Sequence, residues 1–144
     1  TMGFGLGASI GASFGRADRR VINIAGDGSF KMNSTELATV SKYQVPTIQL
    51  VFNNHALGMV RQWQDLFYEK RFSQTTLGPD VDFLKLADAY GIKGFRIRAD
   101  EEVEGVLKHV LALHEPVVVE CDISPDEKVY PIVPPGAAIR DLID

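Results

Sequence analysis

Four short apolar runs punctuate this chain, and stretches with helical spacing separate them. The runs are "RRVINIA", ending at Ala25, "PTIQLVFNN" over 46–54, "GFRIR" over 94–98 and "VVVECDI" over 117–123. Each is too short for a buried helix, is bounded by charge, proline or glycine, and carries β-branched residues, so each reads as a fully buried strand. Between them, "NSTELATVSKYQ" predicts a helix with Asn33 as N-cap and Glu36 three residues on, close to a capping box. Capping is the favoured role for Glu36 over acid–base work. Phe83, Leu84, Leu86, Ala87 and Tyr90 recur at helical spacing before Gly91, and Val103, Val106, Leu107, Val110 and Leu111 form an apolar stripe. Strands alternating with such helices imply βαβ units. The expected class is α/β: a three-layer α/β/α arrangement around a mostly parallel sheet covered on both faces.

The remaining stretches constrain less. Gly3 to Phe14 is poor in helix propensity, but Gly7, Gly11 and Gly15, spaced by four, would let a backbone or ligand approach one helix face. The opening "TMGFGLGASIGASFG" reads as the inside of a motif, so residues 1–144 are expected to be one domain of a longer chain. The closing "VYPIVPPGAAIRDLID" reads as an extended arm ending in one helical turn. A net charge of -4 argues against a nucleic-acid or membrane-surface partner. No apolar run approaches the length of a membrane span or forms a signal peptide, and the single Cys121 reads as a buried thiol in a reducing compartment, which suits a cytoplasmic protein.

In parallel sheets, ligands gather at the carboxyl ends of strands. Two unusual groups fall there: Gly26-Asp27-Gly28-Ser29 after the first run, and Asn53-Asn54 after the second. Three readings compete. "GFGLGA", residues 3–8, formally matches a dinucleotide fingerprint with Asp27 about 20 residues on, but no strand precedes it and Asn53-Asn54 stay unexplained. Asp27 could be a turn residue and Asn53-Asn54 a loop tolerant of left-handed backbone. Or the groups hold a divalent cation and a diphosphate. A hard cation takes carboxylate and amide oxygens, from Asp27 and Asn54. Gly28 and Ser29 offer N–H and hydroxyl groups to phosphate, and flanking glycines allow close backbone approach. His55, His109 and His114 make no metal-binding spacing, and His109 reads as a surface residue.

Gly26-Asp27-Gly28, 24 residues, then Asn53-Asn54 resembles the signature of thiamine-diphosphate enzymes. "TMGFGLGASIGA", "NNHALGMVRQWQDLFYEKRFSQT" and "VYPIVPPGAA" narrow the resemblance to the C-terminal, cofactor-binding domain of the acetolactate synthase (acetohydroxyacid synthase) catalytic subunit, over essentially the whole chain. The resemblance implies a thiamine-diphosphate-binding fold that condenses two pyruvates, or pyruvate and 2-ketobutyrate, with loss of CO₂. It implies Mg²⁺ held by Asp27, Asn54 and the Ala56 carbonyl, with Gly26, Gly28, Ser29, Leu57, Gly58 and Met59 around the cofactor. Met2 would be the apolar wedge beneath the cofactor. Trp63 would favour 2-ketobutyrate as second substrate, with Val60 shaping the same pocket. FAD would bind outside this chain. The pyrimidine-binding domain, with its glutamate, would come from another subunit of a dimer or tetramer, and a regulatory subunit is a further possible partner. In this sequence "HALG" follows Asn53-Asn54 where relatives often carry acidic or amide residues, which a backbone ligand at Ala56 tolerates.

Overall fold

The computed structural model describes residues 1–144. In chain order the elements are α1 (Phe4–Gly15), β1 (Val21–Gly26), α2 (Asp27–Met32), a 3₁₀ turn at Ser34–Glu36, α3 (Leu37–Lys42), β2 (Thr47–Asn53), α4 (Gly58–Phe67), α5 (Phe83–Ala89), β3 (Lys93–Ile97), α6 (Asp100–Ala112) and β4 (Val117–Asp122). All four apolar runs are strands. They form one parallel sheet in the order β1-β2-β4-β3. The register sets Gly26 opposite Phe52 and Asn53 opposite Asp122, so the carboxyl ends of β1, β2 and β4 finish in step.

Helices cover the two faces unequally. On one, Leu6, Phe30, Leu37, Val40 and Phe83 of α1, α2, α3 and α5 pack on Val51 and Val118. Under them runs a buried polar chain. The Asn23 amide donates to Gln49 Oε1 (2.8 Å), and the Gln49 amide donates to the hydroxyls of Ser9 and Thr47 (3.0 Å each). On the other face α6 packs on Ile48, Ile97, Val117 and Val119 through Val110, Val106 and Leu107. It does not reach β1, where Ile24 is 69% exposed. The expectation of a fully covered sheet therefore fails at β1, an edge strand whose outer face is bare. Cys121 is buried, and burial pushes its thiol pKa up.

Four local expectations are corrected. The helix placed at 33–44 is present, as the 3₁₀ turn at Ser34–Glu36 running into α3, but Asn33 makes no side-chain cap, and a separate short helix, α2, precedes it directly after β1. Glu36 accepts from the Thr39 hydroxyl (2.9 Å) instead of closing a capping box. The close-packed glycine of α1 is not in the row at 7, 11 and 15, which faces open space. It is Gly5, where a Cβ would stand 2.3 Å from Asn23 Oδ1. Residues 131–144 form no helical turn. They fold back, with Ile132 and Ile143 exchanging backbone hydrogen bonds (3.0 and 2.9 Å). His109 is an exposed surface residue, as expected, and meets the Phe95 ring edge-on at 5.3 Å. No helix is long and apolar enough to cross a membrane.

Candidate functional site

Asp27 is the first residue of α2, with Gly26 extended before it (φ -72°, ψ 157°). Its residue is 2% exposed. The nearest cation on its own helix, Lys31, is engaged elsewhere, donating to Asp80 at 2.7 Å. Burial therefore dominates and pushes the Asp27 pKa above the ordinary carboxylate range. The Gly28 N–H and the charges of Lys31 and His55 oppose this only in part. A buried carboxylate without a countercharge is costly on its own and well suited to a cation.

Across from it, the two asparagines at the end of β2 divide their work. Asn53 turns inward: its amide donates to Glu120 (2.6 Å), and Glu120 accepts from Arg96 (2.8 Å). That residue serves the sheet. Asn54 is half-buried and faces the cleft, its Oδ1 accepting the Ala56 N–H at 3.2 Å. Space for its amide depends on Gly58, where a Cβ would stand 2.7 Å from Asn54 Nδ2. His55 between them takes left-handed backbone (φ 56°) and sets Nε2 3.0 Å from Asp122. Ala56 is buried, and its carbonyl receives no hydrogen bond. Its neighbours are pinned by a short antiparallel contact that sequence reasoning missed: Leu57 N–H donates to Thr75, and Leu77 N–H to His55 (2.8 Å each).

Every residue singled out for cofactor or metal binding lines one open cleft of ≈ 300 Å³, as do Met2 and Val60. Phe52 and Ile123, both strand-end residues, complete its wall and were not anticipated. Gly28 has a tighter constraint than expected. A Cβ there would lie 2.9 Å from Leu57 and 3.2 Å from Leu77, so side chains of the protein already crowd it. Gly26 has no such crowding. The Ser29 hydroxyl accepts the Gly3 N–H (3.0 Å), which ties the start of α1 to α2 and sets Met2 over Gly28. Trp63 stands apart. It lines a second hollow with Tyr68 and Arg71, joined to the first through Val60, and meets Phe67 edge-on at 6.3 Å.

The donor set is all oxygen: one carboxylate, one amide and one free carbonyl. No group of three His, Cys, Asp or Glu side chains gathers anywhere in the chain. Such a set suits a hard cation such as Mg²⁺ that keeps room for phosphate oxygens, and does not suit a soft metal. The dinucleotide reading loses its footing here. Residues 3–8 open α1 without a leading strand, and Gly5 is spent on contact with Asn23.

The model of the "Thiamine pyrophosphate enzyme, C-terminal TPP binding domain" family matches residues 1–121. The chain is 45% identical over 143 residues to a "Probable acetolactate synthase large subunit" of Methanocaldococcus jannaschii, covering 99% of this chain and 24% of that protein. It is 45% identical over 144 residues to the "Acetolactate synthase isozyme 2 large subunit" of Escherichia coli, covering 100% and 26%. To the mitochondrial acetolactate synthase of Schizosaccharomyces pombe it is 47% identical over 143 residues, covering 99% and 21%. Among solved structures, the thiamine diphosphate-dependent 4-hydroxybenzoylformate decarboxylase of Rhodococcus jostii superposes with a TM-score of 0.80 at 31% identity, covering 88% of this chain and 24% of that one. The chain thus spans about a quarter of the length of the curated relatives it matches.

Proposed function

Since the chain belongs to the thiamine pyrophosphate enzymes, as their C-terminal TPP-binding domain, we propose that it is the cofactor-holding part of an acetolactate synthase. The observation that carries this is the cleft itself: Asp27, buried and unpaired, opens onto the same space as Asn54 and the free Ala56 carbonyl. In this reading Asp27, Asn54 and the Ala56 carbonyl hold Mg²⁺. The Gly28 backbone and the Ser29 hydroxyl meet the diphosphate, with Gly26, Leu57, Gly58 and Met59 lining the rest. When bound, thiamine diphosphate supplies the electron sink for decarboxylating a 2-keto acid and joining it to a second. The protein's part here is to anchor that group, to seat it over Met2, and to keep an apolar wall of Leu57, Met59 and Val60 beside it. Val60 and Trp63 shape the pocket for the second keto acid, pyruvate or 2-ketobutyrate.

FAD, a pyrimidine-binding domain from another subunit of a dimer or tetramer, and a regulatory subunit belong to the rest of such an enzyme. This chain alone is then half a site and inactive. Its compartment is the cytoplasm, or a plastid or mitochondrion in a eukaryote. The likeness to a 2-keto-acid decarboxylase supports a second reading, simple decarboxylation without carbon–carbon bond formation. The product made from pyruvate by the enzyme carrying this chain separates the two. Acetolactate is expected. Acetaldehyde alone would replace the first reading with the second, and acetyl phosphate would replace both.

A further inference from the structure

α4 inverts the usual order of a surface helix. Met59, Val60 and Trp63 are open, with Val60 50% exposed, and Leu66 and Phe67 are only half-buried, while the one buried side chain on it is an amide, Gln62, at 4%. That amide is fully used. Nε2 donates to the Val129 carbonyl (2.9 Å) and Oε1 accepts the Val129 N–H (3.0 Å), so the side chain pairs with one residue of the C-terminal tail as a neighbouring strand would. Ion pairs flank it on both sides. Arg61 donates to Asp126 from two nitrogens (3.2 and 2.8 Å), and Lys128 pairs with Asp65. Arg61 also lies over the Phe72 ring at 4.0 Å. One helix face is thus clasped to residues 126–129 by polar contacts, and the opposite face carries Met59, Val60 and Trp63 into the two hollows.

We propose that Gln62 is a positioning residue: its paired hydrogen bonds to Val129 fix the placement of α4, and through it the setting of Val60 and Trp63 toward the second substrate. The physical reason is the lack of an alternative. No apolar side chain of α4 is fully buried, and apolar burial, which holds most helices, is non-directional where a two-bond amide contact defines both distance and rotation. Gln62 lies beside Trp63 in the chain and two residues from Val60, so a shift in one is transmitted to the others through rigid helix. The proposal rests on the reading of this pocket as the second-substrate site.

Hydrogen–deuterium exchange and product analysis on the holoenzyme that carries this chain test it. Gln62→Met keeps the length of the side chain and removes both bonds. Amides of α4 and of residues 126–130 are expected to exchange about tenfold faster together, with the strands unchanged. Given mixed pyruvate and 2-ketobutyrate, the preference for 2-ketobutyrate is expected to fall by about threefold or more, with the concentration of cofactor needed for half-activation unchanged. Unchanged exchange on α4 overturns the clasp, as does faster exchange spread over the whole sheet. Faster exchange confined to α4 with an unchanged product ratio overturns the positioning role. Asp126→Ala guards against loss of folding, because Asp126 is exposed and only its ion pair is removed. It should shift both readouts in the same direction by less, and no shift counts against the proposal. A wild-type enzyme that makes no acetohydroxy acid ends the reading of the pocket, while the exchange data still decide the clasp.

Discussion

The start of α2 and the start of α4 line one cleft and are held there by opposite means. Asp27 is placed by backbone: a parallel ladder brings Gly26 level with Phe52, and Leu57 and Leu77 close over Gly28. No single side chain decides where that carboxylate sits. Beyond the backbone tie of Leu57 to Thr75 at its start, α4 is placed by side chains, through Gln62, Arg61 and Asp65 on the tail and through Gln64 on the neighbouring loop. There the Gln64 Oε1 accepts the Thr75 hydroxyl (2.8 Å). In the proposed reading, gripping the metal and diphosphate thus falls to the part whose placement no single side chain decides. The part that in this reading would meet the substrate hangs from a few polar contacts that one substitution can reset.

The contrast can be broken in four ways. Asp27→Ala is expected to have the largest effect. Even partners outside the first ligand shell are worth roughly 10–100-fold in metal affinity, so losing the carboxylate should cost more than about 100-fold in Mg²⁺-dependent cofactor affinity. Calorimetric titration of the enzyme checks this, and unchanged affinity would remove Asp27 from the metal site. Gly58→Ala probes the joint between the two regions, because its Cβ meets the Asn54 amide at 2.7 Å. Displacing that amide should weaken cofactor activation by about tenfold, read from activity against cofactor concentration. Trp63→Leu belongs to the α4 side alone. Preference for 2-ketobutyrate should fall while thermal stability changes by about 1 kcal/mol or less, since the ring packs mainly on Phe67.

The smallest effect concerns pH. Burial raises the folded-state pKa of Asp27 above its unfolded value, ordinarily near 3.9. Its contribution to stability is therefore full below the unfolded pKa and is lost as pH rises through the folded one. In chelator, Asp27→Asn should raise the melting temperature at neutral pH and lose that advantage in acid. Equal melting curves at neutral pH would mean that the carboxylate finds compensation the structure does not show.

Much of this was legible in the chain, for reasons that also explain what was not. The strands could be read because each is a continuous apolar run, but that same continuity hides whether a strand is central or at an edge. The bare face of Ile22 and Ile24 shows only when α6 is seen to stop short. Asp27 and Asn54 could be paired because a parallel sheet collects its strand ends. α2 escaped notice because six residues containing a glycine, directly after a strand, carry almost no helical periodicity. Asn33 does stand at a helix start, but that start opens as a 3₁₀ turn held without a side-chain cap. Gln62 was invisible for a different reason. A buried amide on a helix is recognised only by its partner, and Val129 lies 67 residues away.

The matched ends of β1 and β2 also say where such a chain can change length. What must be kept is the rung between Gly26 and Phe52, not the number of residues that joins them. The surface turn at Tyr43–Gln44, where Gln44 is already left-handed, can absorb an added residue without moving that rung. One residue added inside β2 would turn each side chain beyond it to the opposite face and carry Asn54 away from Asp27. Spacing along the sequence is thus a loose ruler, and pairing across the sheet a strict one.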